Sequence, residues 1–281
     1  MKKYFLLEVL FAFLSVVVAN GQISFSLLPQ STIHSRLDKY EGNDVSREKT
    51  LLQLFSEAGC RGASLSEEVV SRRKEPNVIC ALPGETDKTI VVGAHFDHVP
   101  EGKGIVDNWS GVSLLPSLYE SLAAKPRKHS YLFVGFTGEE EGLVGSKFYV
   151  KHLSAEERSR IQMTIILDTL GLGPTEIWLS RSNKYGSDVL GLAANVLHLP
   201  ISAMNVDEFG VSDEESFIDK KIPSVTIHSL TPQTTKVLHS RLDAPAAINF
   251  PAYYDTYHLL AGYLALLDEK LALKEGQSST P

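Results

Sequence analysis

The chain has 281 residues, 43% hydrophobic and 22% charged, with a net charge of -7. That length can bury one large core, and no linker or compositional break divides it. The acidic balance and the lack of a basic stripe exclude nucleic acid as the main partner. No repeat or low-complexity run occurs apart from the polar end, Lys274 to Pro281.

Lys2 and Lys3 precede an apolar run from Tyr4 to Val18, interrupted by Glu8, with small residues following at Ala19 and Gly21. A basic start, a short apolar stretch and a small-residue cleavage site predict a signal peptide over residues 1–21. The expected product is a secreted or periplasmic single domain, 22–281, with no further stretch able to span a bilayer. Its two cysteines are Cys60 and Cys80. An exported chain permits a disulfide, but Cys80 within Val78 to Leu82 also reads as a small core residue, and sequence leaves both readings open.

Along the mature chain, Leu51, Leu54, Phe55 and Ala58 have helical spacing. They predict a helix over 46–58, with Ser46 as N-cap and Gly59 as stop. Val69-Val70 and Asn77 to Leu82 read as strands, and Thr89 to Ala94 as a strand buried on both faces. That strand runs into His95-Phe96-Asp97-His98. A metal could bind His95, with Asp97 orienting its imidazole; His98 is left unassigned. Asp107 and Asn108 precede a long apolar helix to about Ala123. Both suit an N-cap, or Asp107 could instead bridge two cations. Ser130 to Phe136 is a strand that feeds Glu139-Glu140-Glu141, and a helix over 143–153 follows. Three adjacent carboxylates at a strand-to-helix turn repel one another. They form either a solvated acidic helix start or a site where one Glu binds a cation and its neighbour acts as general base.

The remaining segments repeat the alternation. Ala155 to Arg160 is helical, and Met163 to Leu167 is a buried strand that ends at Asp168. Ile177 to Leu179 and Ser224 to Ile227 are strands, with a helix over 189–199 between them. The last helix runs from Pro251 to about Leu271, with Tyr253, Tyr257, Leu260, Leu264, Leu267 and Leu271 as its buried stripe and His258 on the surface. Strands alternating with helices predict a three-layer αβα sandwich with a mixed, mostly parallel central sheet. His95, Asp107, Glu140, Asp168 and a late histidine, His228 or His239, are nitrogen and oxygen donors without a thiolate. Such a set suits zinc. A shared carboxylate implies two ions about 3.5–4 Å apart.

From Asn77 to Leu271 the sequence resembles the secreted co-catalytic zinc aminopeptidases of the leucyl aminopeptidase and aminopeptidase Y type, relatives of glutamate carboxypeptidases and glutaminyl cyclases. The resemblance rests on Gly93-Ala94-His95-Phe96-Asp97, Asp107-Asn108-Trp109-Ser110-Gly111, Glu139 to Ser146, Leu167-Asp168, and His239 with Asp243. It implies two zinc ions. Asp107 would bridge them, His95 and Asp168 would complete one shell, and Glu140 and His239 the other. Glu139 would be general base, Asp97 would support His95, and the Asp107-Asn108 peptide would be cis. Implied substrates are peptides with a free N-terminus; oligomeric state is not implied. Two departures stand out. His239-Ser240-Arg241-Leu242-Asp243 replaces the family's His-Thr-Pro-x-Asp, and Ser212-Asp213-Glu214 replaces its Ser-Asp-His, near the expected substrate pocket. Rival readings are glutaminyl-peptide cyclisation with one zinc and a non-catalytic binding module. Serine hydrolysis is disfavoured because no Gly-x-Ser-x-Gly elbow occurs.

Overall fold

A computed structural model describes residues 12–18 and 21–278. The basic start of the expected signal peptide and Ala19 at its cleavage site lie outside the described residues. From that segment β1 (Ala12–Val18) pairs antiparallel with β2 (Gly21–Leu27), which begins at its end, as a separate two-stranded sheet.

Helices α1 (Gln30–Leu37) and α2 (Asp44–Glu57) follow. The cap of α2 is Asn43 rather than Ser46, because the Asn43 side chain reaches the Ser46 amide at 2.9 Å and closes the first turn. Strand β3 (Leu65–Glu68) stops before Val69-Val70. Val69 is 79% exposed and Val70 buried, and the strand expected there begins four residues earlier, at Leu65. Next come β4 (Asn77–Leu82), β5 (Thr89–His95), α3 (Ser110–Ala123), β6 (Ser130–Phe136), α4 (Val144–His152), α5 (Ala155–Arg160) and β7 (Ile161–Leu167). Strand β8 is Thr175–Ile177, earlier than expected, since Leu179 begins a 3-10 turn. Helix α6 (Lys184–Leu197), β9 (Ile201–Ala203), α7 (Glu214–Ile218), β10 (Ser224–His228) and α8 (Phe250–Ser278) complete the chain.

The eight-stranded sheet has the order β3-β4-β6-β5-β7-β10-β8-β9. Its centre, β6-β5-β7-β10, is parallel; β4 and β8 join antiparallel. Side-chain alternation sends Ile90, Val92 and Ala94 of β5 into the larger core beneath α2, α3, α6 and α8. Val91, Val134, Phe136 and Ile166 face the other way, against Tyr149 of α4 and Phe217 of α7. The expected sandwich is therefore the observed fold.

Every residue of the expected α8 stripe is buried, but so are Leu259, Ala261, Tyr263, Ala265 and Leu266. The helix is apolar nearly all round because α3, α6 and β2 flank it. His258 is consequently half-buried rather than on the surface. Its ring lies 6.1 Å from Phe25, and burial pushes its pKa down. Cys60 and Cys80 form a disulfide, Cα atoms 6.2 Å apart, which ties the end of α2 to β4.

Candidate metal centre

Because β6, β5 and β7 are adjacent and parallel, their C-terminal ends open onto one edge of the sheet, where open α/β sheets place ligands. His95 ends β5, Asp168 follows β7, and Glu139 and Glu140 sit in the turn after β6. Asp107 arrives from a kinked turn, Ile105–Trp109, ahead of α3, and the Asp107-Asn108 peptide is cis. The Asn108 side chain fixes this turn. Its amide nitrogen donates to Leu167 O at 2.8 Å, and its oxygen accepts from Gly111 N–H at 2.9 Å and from Thr169 N–H. A Cβ on Gly111 would lie 2.4 Å from that oxygen and 2.6 Å from Leu167 O, so only glycine fits there.

Asp107 divides its two oxygens. Oδ1 lies 3.3 Å from His95 Nε2, which is itself 3.7 Å from Asp168 Oδ1. Oδ2 lies 3.3 Å from His239 Nε2, which is 3.0 Å from Glu140 Oε2. One donor atom each from His95, Asp107 and Glu140 lies within 4.8 Å of the others. His239, just past a 3-10 turn at Thr235–Val237, joins them through Asp107 and Glu140. His228 does not, for its ring is already used: Nε2 donates to Met204 O at 2.9 Å and Nδ1 accepts Leu230 N–H at 3.0 Å. His98 turns aside to Asp44.

The donor set fits a divalent cation on its own evidence. Asp107, Glu139, Glu140, Asp168 and Asp213 crowd together, and the buried Oε1 of Glu140 has no partner. Burial and the Asp107 charge push Glu140 up to about 7. Burial also raises Glu139 well above the usual range; the His95 charge opposes that rise and Asp213 adds to it. Burial likewise takes Asp213 to about 7. Asp107 moves the other way: burial would raise it, but bonds to His239 and His95 hold it low. The Asp107 bond lifts His239 to about 9. Burial lowers His95, yet Glu139, Asp107 and Asp168 outweigh it and hold its pKa high. Without a cation these groups offset their charge by holding protons, which is how buried carboxylates behave when nothing else neutralises them.

Two supporting residues make contacts beyond those the sequence suggests. The Asp97 carboxylate lies 3.6 Å from His95 Nδ1, whereas its backbone oxygen lies 3.2 Å away. Beside this pairing the carboxylate accepts Glu139 N–H and Glu140 N–H, each at 3.1 Å, and so aims the acidic turn. Asp243, noted only for its spacing from His239, accepts three amides. Oδ1 bonds Ile105 N–H and Val106 N–H at 2.8 Å, and Oδ2 bonds Asp107 N–H at 3.1 Å. A run of backbone donors leaves no side-chain pattern to read. Beside the carboxylates opens a pocket walled by Trp178, Val206, Phe209, Leu230 and Leu238.

Residues 77–264 match the family model described as Peptidase family M28. The sequence is 27% identical over 180 residues to aminopeptidase YwaD of Bacillus subtilis, covering 61% of this chain and 37% of that protein. It is 32% identical over 160 residues to aminopeptidase Y of Saccharomyces cerevisiae, covering 54% and 29%. The chain therefore spans well under half the length of these relatives. Among solved structures, a Bacillus subtilis zinc aminopeptidase aligns with a TM-score of 0.62 at 25% identity, covering 68% of this chain and 49% of that one. Two further structures share the fold: the Legionella pneumophila LapA aminopeptidase (TM-score 0.76, 19% identity, 85% and 72% covered) and an Acidobacteriales glutaminyl cyclase (0.74, 17%, 90% and 99%).

Proposed function

The chain belongs to peptidase family M28, and from that premise we propose that it is a zinc-dependent aminopeptidase hydrolysing the first bond of peptides with a free α-amine. The observation that carries this is the divided Asp107 carboxylate, with a histidine facing each of its oxygens and a second acid paired with each histidine. His95, Asp107 and Asp168 would hold one ion, and Asp107, Glu140 and His239 the other. Bound zinc would polarise the scissile carbonyl and lower the pKa of water at the site.

The chain's own groups do the rest. Glu139 is the general base: it takes a proton from the attacking water and passes it to the leaving amine. Asp97 holds the amides of Glu139 and Glu140, which keeps base and candidate ligand in fixed relation. The apolar pocket walls favour an apolar first side chain. We also propose secretion or periplasmic export by way of the leader over residues 1–21, with residues 22–281 as one domain.

A second reading is glutaminyl-peptide cyclisation, favoured by the alignment over nearly all of the Acidobacteriales cyclase. The complete donor set weighs for hydrolysis. A panel of aminoacyl fluorogenic substrates and a peptide with N-terminal glutamine, assayed with and without chelator, separates them. Hydrolysis predicts single residues released from free N-termini, little turnover of N-acetylated peptides and close to two zinc equivalents. Full activity in metal-free protein, or internal fragments released from a blocked peptide, would sink it. One zinc per chain with ring closure of the glutamine would favour the cyclase.

A further inference from the structure

Arg47 lies in α2, upstream of the family-matched residues, and is wholly buried. Its Nε donates to Glu41 O at 2.8 Å, Nη1 to Phe96 O at 3.1 Å and Nη2 to Lys103 O at 2.6 Å. Phe96 stands between His95 and Asp97. Lys103 opens the approach to the turn that carries Asp107, and its own N–H donates to Asp243 O at 2.8 Å. Asp243 belongs to the segment of His239. One guanidinium therefore braces the segment bearing His95 against the one bearing Asp107 and, through the Lys103 peptide, reaches the one bearing His239.

Two observations argue against a purely stabilising role. All three hydrogen bonds end on backbone carbonyls, and even with the Trp109 ring 6.0 Å from the guanidinium a buried cation is costlier than a well-packed apolar side chain would be. The chain also makes room for it. Gly104 adopts φ +55°, and a Cβ there would lie 2.4 Å from His98 Cβ and 2.8 and 2.9 Å from the two Nη atoms. The charges acting on Arg47 are those of Asp44, Asp243, Asp97 and Asp107.

We propose that Arg47 is a positioning residue of the metal centre. Its planar fork sets the separation of His95 from Asp107 by clamping Phe96 O and Lys103 O, and lysine cannot reproduce that fork. The proposal rests on the metal-centre reading above.

The test uses the full chain, Arg47→Lys and Arg47→Met. Zinc affinity is read by competition with a chromogenic chelator, kcat and KM at saturating zinc with an aminoacyl fluorogenic substrate, and Tm alongside. Arg47→Lys should weaken zinc binding by about 10- to 100-fold, as loss of a group that orients ligands does. At saturating zinc kcat should fall about 10²-fold, the effect of misplacing a reacting group by about 1 Å, with KM within about threefold of wild type. Arg47→Met should lose more of both. A lowered Tm with zinc affinity and kcat at wild-type values would overturn the proposal and leave Arg47 a structural brace. Should neither variant fold, Arg47→Gln keeps a planar donor group without the two-pronged fork, and the same losses are expected. Affinity is read without substrate. A wild-type chain that binds zinc but cleaves no peptide therefore faults the aminopeptidase reading, and the affinity comparison alone then decides the role of Arg47.

Discussion

Replacing Asp243 with asparagine removes one acceptor from a carboxylate that serves three backbone amides. The favoured amide orientation keeps oxygen toward Ile105 N–H and Val106 N–H. Those two bonds pass from charge-assisted to neutral and lose about 1 kcal/mol each. The side-chain NH2 then faces Asp107 N–H, a buried donor left unsatisfied at about 1–3 kcal/mol. Against this, a neutral side chain escapes the desolvation that raises the pKa of Asp243. Allowing about 1 kcal/mol for that escape leaves a net loss of roughly 2–4 kcal/mol, or about 3–7 °C in Tm for a chain of this size. Differential scanning fluorimetry of zinc-free wild type and Asp243→Asn measures the loss. Zinc titration should show weaker binding as well, because Asp107 N–H is one of the three donors. A Tm within about 1 °C of wild type with unchanged zinc affinity would refute the reasoning, and the three amides would have to find water instead.

Other expectations follow from the same geometry. Glu139→Gln should keep zinc and fold while kcat drops by about 10²–10⁴-fold, whereas Glu140→Gln should lose zinc first; metal analysis beside kcat separates them, and the opposite pattern would reverse the two roles. His239→Ala should cost bound metal, while His228→Ala should cost Tm through its bonds to Met204 and Leu230, and metal loss confined to the latter would mean the wrong histidine was chosen. Far from the site, His129 Nδ1 lies 2.8 Å from buried Asp268. Burial lowers the His129 pKa, but the bond to Asp268 and its charge outweigh this and leave it raised. Its contribution is therefore complete below the unfolded value of about 6.5 and fades as pH climbs through the higher folded value. Tm scans upward from pH 6 should decline less steeply in His129→Gln than in wild type, and parallel curves would exclude this pair.

The sheet was legible because β4, β5, β6, β7 and β10 are continuous apolar runs, and His95, Glu140 and Asp168 stand at a strand end or in the turn after one, whereas Asp107 stands at a helix start and His239 in a later loop. What escaped had weaker local signals. Strands β8 and β9 are three residues each, α7 is five, and α1 is mixed in character. The full reach of α8 and the burial of His258 depend on neighbours distant in sequence. Asn43 outcompeted Ser46 as a cap by a side-chain bond that composition does not rank. The contacts of Asp97, Asp243 and Arg47 are to backbone groups, which have no residue type to recognise. His239 could be preferred to His228 only through its resemblance-based spacing from Asp243.

The two candidate histidine ligands meet water unequally, His95 with a side chain 1% exposed and His239 with one 56% exposed. The centre therefore has an inner and an outer half. Traffic through the mouth meets the His239 side first, and the inner half is reached only across it. If the proposed pair of zinc ions is bound, a chelator should strip them in that order, in two kinetic phases whose faster one belongs to the outer half. Substrate enters by the same opening, so occupancy of the pocket should slow the fast phase of metal release.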